Sequence, residues 1–159
     1  MTDSPSNSPS NSPSIPPSIV DAGLVLLDTN AGEDKEAVIA TLAALLADSG
    51  RAEDTAPLLQ AALAREAQSA TGLPGGIAIP HCRSAAVLRA SIAFARLRPK
   101  VDFGAPDGPA DLVFLIAAPE GGGAEHMKML TALARALVRP EFVAELRAAG
   151  TADDVVALV

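Results

Sequence analysis

His81 and His126 are the only histidines in the 159-residue chain, and each stands in a setting suited to chemistry. His81 follows a short apolar run in Gly75-Gly76-Ile77-Ala78-Ile79-Pro80-His81-Cys82-Arg83. Proline fixes its own φ and pushes the preceding residue, Ile79, toward an extended conformation. Gly75 and Gly76 let the chain bend tightly into the apolar stretch. The run therefore predicts a histidine presented from a stiff loop at the end of a short strand, where α/β proteins often place reacting groups. Imidazole titrates near neutral pH and can act there as base or nucleophile. His126 comes just after Gly121-Gly122-Gly123 and opens a helix, whose free N–H groups and dipole favour an anion. Arg83 lies two residues beyond His81, and Arg65 lies near the end of an earlier helix. Two histidines, an arginine and a helix N-terminus could together hold a phosphoryl group. Histidine suits a phosphoryl group that must be passed on, because an imidazole nitrogen both attacks and leaves readily. Arginine neutralises charge on the phosphoryl oxygens.

Taken singly, each of these residues also has a plainer role. Arg65 at a helix C-terminus can simply offset the dipole. Arg83 can be solvated, His126 structural, and His81 a surface histidine in a turn. The glycine triplet is neither a Walker loop nor a dinucleotide fingerprint. Other chemistries find less support. Two histidines and one cysteine cannot close a zinc site without carboxylates, and there is no HxxxH or CxxC spacing. Cys82 adjoins His81, but neighbouring side chains on an extended segment diverge. The carboxylates are scattered over helix faces, with no pair suited to glycoside chemistry.

Composition narrows the partners. There is no Trp or Tyr and only four Phe, so a platform for stacking nucleic-acid bases is absent. A net charge of −7 argues against nucleic acid and anionic membranes, and suits docking on a basic protein surface. The single cysteine excludes an internal disulfide and fits a reducing cytoplasm. No apolar stretch is long enough to span a bilayer, and the N-terminus lacks the basic start and apolar middle of a signal peptide. The chain reads as one cytoplasmic domain large enough to bury a real core.

The elements that must position these residues follow from punctuation and periodicity. Met1–Ser18 is a Ser/Pro/Asn tract with almost nothing to bury and is expected to be disordered. Residues 19–159 form the expected domain. Leu24–Leu27 reads as a strand. Asp34 can cap a helix over Lys35–Ala47, with stripe Ala37, Val38, Leu42, Leu45 and Leu46 and its end at Ser49-Gly50. A second helix spans Thr55–Ala67, with Pro57 tolerated in its first turn. Strands are expected at Ile77–Ile79 and Ala90–Leu97, with a hairpin-like connection over Pro99–Pro109. The strand Asp111–Ala118 carries a continuous apolar run and should be buried. A helix over Ala124–Leu137 should turn Met127, Leu130, Leu133, Ala134 and Leu137 inward. Pro140 starts a further helix, and Thr151 caps a last one with Asp153 and Asp154 in its first turn. Helices on a mixed sheet make the fold α/β or α+β.

The segments Arg65-Glu66, Thr71-Gly72-Leu73 and Gly76-Ile77-Ala78-Ile79-Pro80-His81 resemble the fructose/mannitol-type (type 2) IIA domain of the bacterial phosphoenolpyruvate-dependent sugar phosphotransferase system. The likeness continues through Asp111–Glu120, Glu125-His126 and the Leu130–Leu137 helix, and runs from about Ile19 to Val159. The fructose-specific component is the nearest type. The resemblance implies a sandwich-like mixed sheet flanked by helices and no metal or organic cofactor. It also implies that His81 is phosphorylated, on Nε2, with Arg65 and His126 as its active-site partners. Phospho-HPr would be the donor and a cysteine on a IIB domain the acceptor, with a membrane IIC component importing the sugar. A nitrogen-type regulatory IIA protein, whose phosphorylation state controls partner binding, is the alternative. One departure is local: Cys82 stands where relatives often have glycine. A side chain there would narrow the docking surface or make the site sensitive to oxidation.

Overall fold

The computed structural model describes residues 19–121 and 123–159. The tail expected to be disordered, Met1–Ser18, and the middle of the glycine triplet lie outside the described residues. The apolar run Leu112–Ala118 forms most of β6 (Ala110–Pro119) and is buried throughout. A strand buried on both faces belongs at the centre of a sheet. β5 (Ser91–Val101) pairs with it antiparallel, and the facing Phe94 and Phe114 rings pack with centroids 4.8 Å apart.

β1 (Val25–Thr29) lies parallel to β5 on the other side. β2 (Gly72–Leu73) and β3 (Ile77–Ala78) form a short antiparallel pair, and β3 runs parallel to β6. The sheet order is β1-β5-β6-β3-β2, with β4 (His81–Ser84) also parallel to β6. The expected mixed sheet is thus present, with six strands. β5 runs past its expected end at Leu97 to Val101, and shifts register between Arg96 and Val101.

Five α-helices flank the sheet among the described residues. α1 (Lys35–Asp48) is capped as expected: the Asp34 carboxylate accepts from the Ala37 N–H at 2.8 Å. Its buried stripe is Val38, Ile39, Leu42, Ala43 and Leu46, so Ile39 and Ala43 face the core while Ala37 and Leu45 are only half-buried. α2 (Thr55–Gln68) buries Leu58, Ala62 and Glu66. α3 (Gly123–Leu137) departs from the expected stripe: Met127 and Ala134 are exposed, and His126, Met129, Leu133 and Leu137 are buried. A search for apolar residues passes over a histidine, and here the histidine belongs to the inward face. α4 (Pro140–Ala148) and α5 (Ala152–Leu158) complete the set, with the Thr151 hydroxyl accepting from the Asp154 N–H at 3.1 Å.

The N-terminal edge of the described fold is pinned by a buried arginine. Arg51 donates to Asp21 Oδ2 at 2.7 Å, to Ser91 Oγ at 2.9 Å and to the Ile19 carbonyl at 3.5 Å. Ile19 and Val20 are buried beside it, so the ordered fold already includes these residues.

Candidate functional site

The strand that carries His81 is the second half of an interrupted edge. Ile77 and Ala78 pair with Leu112 and Val113, and His81 and Cys82 pair with Ile116 and Ala117, in unbroken register. Only Ile79-Pro80 falls out of the ladder. Proline has no N–H to give, which is why it is tolerated at such an edge. Its carbonyl still accepts from the Ile116 N–H at 3.0 Å. His81 was expected in a loop, but it begins β4. Parallel pairing with β6 continues past the proline and draws His81–Ser84 into the sheet.

The interruption has a chemical result. His81 Nδ1 lies 2.9 Å from the Ile79 carbonyl oxygen. A carbonyl only accepts, so Nδ1 must carry the proton and donate it. In the neutral ring the lone pair then resides on Nε2, the nitrogen free to attack.

Strand alternation separates His81 from Cys82. His81 and Arg83 leave one face of β4, half-buried and exposed, while Cys82 and Ser84 are buried on the other. The Cys82 thiol is 4% exposed, and burial pushes its pKa up to about 12. A buried, protonated thiol neither narrows a docking surface nor oxidises readily, so both effects expected of Cys82 are corrected.

His126 faces His81, with ring centroids 5.5 Å apart and planes tilted by 46°. It is 7% exposed, and its Nδ1 has no hydrogen-bond partner among the described residues. Burial lowers its pKa first, and the nearby His81 and Arg83 lower it further. Both effects favour the neutral form of the His126 ring. Arg83 rests on the start of α3: a methyl group added to Gly123 would lie 2.9 Å from Arg83 Nη1. Two strand positions thus meet one helical turn, His81 with His126 and Arg83 with Gly123.

Arg65 is placed differently. It lies in the last turn of α2, a helix packed on β4, and Nη1 donates to the Ser69 carbonyl at 3.3 Å. Among the described residues it has no hydrogen bond to either histidine. The structure thus brings His81, His126 and Arg83 together and leaves Arg65 on the neighbouring helix end. Beside it, buried Glu66 accepts from the Thr71 N–H at 2.9 Å and from the Thr71 hydroxyl at 2.7 Å, and pairs with Lys35 at 3.4 Å. Glu66 locks the end of α2 to the chain entering β2 and so fixes where Arg65 starts. Nothing in the local sequence around Glu66 names these partners. The available signal was a Glu at helical spacing from Leu58 and Ala62, on the buried stripe.

Among the described residues no group of three His, Cys, Asp or Glu side chains is arranged to hold a metal ion, and no helix is long and apolar enough to cross a membrane.

A six-stranded mixed sheet with paired imidazoles at a helix start defines a histidine-centred α/β domain. The chain belongs to the family described as phosphoenolpyruvate-dependent sugar phosphotransferase system, EIIA 2, which matches residues 18–159. It is 40% identical over 129 residues to the PTS system fructose-specific EIIA component of Haloferax volcanii, covering 79% of this chain and 84% of that protein. It is 39% identical over 128 residues to the PTS system fructose-specific EIIABC component of Bacillus subtilis, covering 80% of this chain but only 20% of that much longer protein. Among solved structures, the nitrogen regulatory protein IIA-Ntr of Neisseria meningitidis matches with a TM-score of 0.81 and 33% identity, covering 89% of this chain and 97% of that one.

Proposed function

We propose that this chain carries a phosphoryl group on His81, taken from phospho-HPr and passed to a cysteine of a IIB domain during fructose-type sugar uptake. The observation that carries the reading is the hydrogen bond from His81 Nδ1 to the Ile79 carbonyl, which leaves Nε2 as the nucleophile. The Nε2 lone pair attacks phosphorus as the P–N bond of the donor phosphohistidine breaks, its electron pair returning to the donor ring. The proton stays on Nδ1, and the Ile79 carbonyl that accepts it steadies the positive charge that develops on the imidazole. In the second transfer a cysteine thiolate attacks phosphorus, and the P–Nε2 pair returns to His81. His126, held toward its neutral form and facing His81, is suited to hydrogen-bond the phosphoryl oxygens without trapping them by charge. Arg65 is the matching family arginine and would reach the group from the end of α2. The fructose-specific names of the two relatives support the sugar class. The EIIABC name supports a IIB acceptor and a IIC membrane component, at which this domain would work from the cytoplasm.

His81→Ala is expected to abolish labelling by phosphoenolpyruvate, enzyme I and HPr, with the fold retained. Stoichiometric label on that variant would contradict the assignment. The likeness to a nitrogen regulatory protein favours one second reading, in which the phosphorylation state selects a binding partner. A chase of the phosphoprotein with a fructose IIB domain separates the two: rapid transfer supports uptake, and retained label supports regulation.

A further inference from the structure

The cation at the start of α3 is in the wrong place for a resting protein. Helix N-termini are the positive end of the dipole, and arginine belongs at the other end. Yet Arg83 rests on Gly123, the first residue of a 15-residue helix, with Nη1 within 2.9 Å of where a methyl group there would sit. Burial and then His81 disfavour a charge on His126, one helical turn further on, and Arg83 adds to the same effect. His126 Nδ1 is buried and has no hydrogen-bond partner among the described residues. Arg83 leaves β4 on the same face as His81, because residues two apart on a strand share a face. Among the described residues, the Arg83 guanidinium, the His81 ring and the unpartnered Nδ1 of His126 thus gather at the first turn of α3. Such a cluster is unfavourable when empty of negative charge and favourable when a dianion sits in it.

We propose that Arg83 is a second phosphoryl-holding arginine, which moves from its rest on the first turn of α3 to the oxygens of the group carried by His81. The proposal rests on the reading of His81 as acceptor. It adds a residue on the His81 strand itself to Arg65 and His126. Gly123 has a role in it: the absence of a side chain there lets the guanidinium lie against the helix.

The test is the equilibrium of phosphoryl exchange between this protein and HPr, approached from both directions with the full chain. An equilibrium between free species does not depend on how well the partners dock, so it reports how firmly the group is held. Arg83→Gln is expected to shift it about tenfold toward phospho-HPr, the size of one charge-assisted hydrogen bond in a partly exposed site. Arg83→Lys should recover part of the shift. In the unphosphorylated Arg83→Gln protein the His126 titration followed by NMR should move up, as the loss of a nearby positive charge requires. An equilibrium for Arg83→Gln within twofold of the parent overturns the proposal and leaves His81 as acceptor. Failure of the parent to label at His81 overturns both.

Discussion

At the scale of single residues, the chemistry turns on what Pro80 removes from the ladder. With no N–H at Pro80 the edge lapses for two residues, and the Ile79 carbonyl becomes the partner of His81 Nδ1. One backbone oxygen thereby selects the tautomer of the proposed nucleophile. The partner ring makes a different prediction. His126 has its pKa held below the ordinary 6.5 by burial, and then by His81 and Arg83. The unfolded chain, with its exposed ring, takes up the proton first as pH falls. His126 therefore contributes stability that is fully present above 6.5 and is lost as pH drops from there toward the folded value. Melting temperatures of the parent and His126→Gln, compared across this range, should show a steeper acid loss in the parent. Parallel curves would mean that the ring is solvated in the folded protein. Cys82 shows the limit of a linear reading. Adjacency to His81 suggested influence on the site, but strand alternation turns its thiol into the core.

At the scale of elements, polar side chains secure what apolar burial alone leaves loose. Arg96 is the clearest case. It donates to both carboxylate oxygens of Asp28, and Nη1 gathers the carbonyls of Leu146, Arg147 and Ala149 at 2.8–3.1 Å. One side chain on β5 thus caps the C-terminus of α4 and ties it to the end of β1. Arg96→Ala should cost roughly 2–3 kcal/mol, since it strands several carbonyls at once. The urea midpoint measures this, and a loss within the error of a surface substitution would contradict it. Caps and apolar runs made much of this legible in advance: Asp34 and Thr151 start their helices as their positions demand, and Leu112–Ala118 is the central strand. The inward face of α3 is not legible from apolar spacing, because its stripe contains His126. The pairing of Arg96 with the end of α4 was invisible, because the partners are about fifty residues apart in sequence and nothing local marks them. For the same reason the site could be read as a set of residue types, but not as the meeting of β4 with one turn of α3.

At the scale of the whole molecule, the sheet brings the proposed acceptor, its imidazole partner and Arg83 to one place from separate stretches of chain. We propose that the domain comprises residues 19–159. Arg51 fastens Ile19, Asp21 and Ser91 together, so the fold includes Ile19. Trimming Met1–Ser18 should then leave the melting temperature and the rate of labelling by phospho-HPr unchanged; a lower melting temperature would place the boundary earlier. The central claim is that the Ile79 carbonyl commits Nδ1 of His81 and leaves Nε2 to take the phosphoryl group. NMR of the phosphoprotein with nitrogen-15-labelled histidine tests it most directly. Phosphorus coupling is expected at His81 Nε2 with the proton retained on Nδ1; coupling at Nδ1, or on His126 instead, would overturn the assignment.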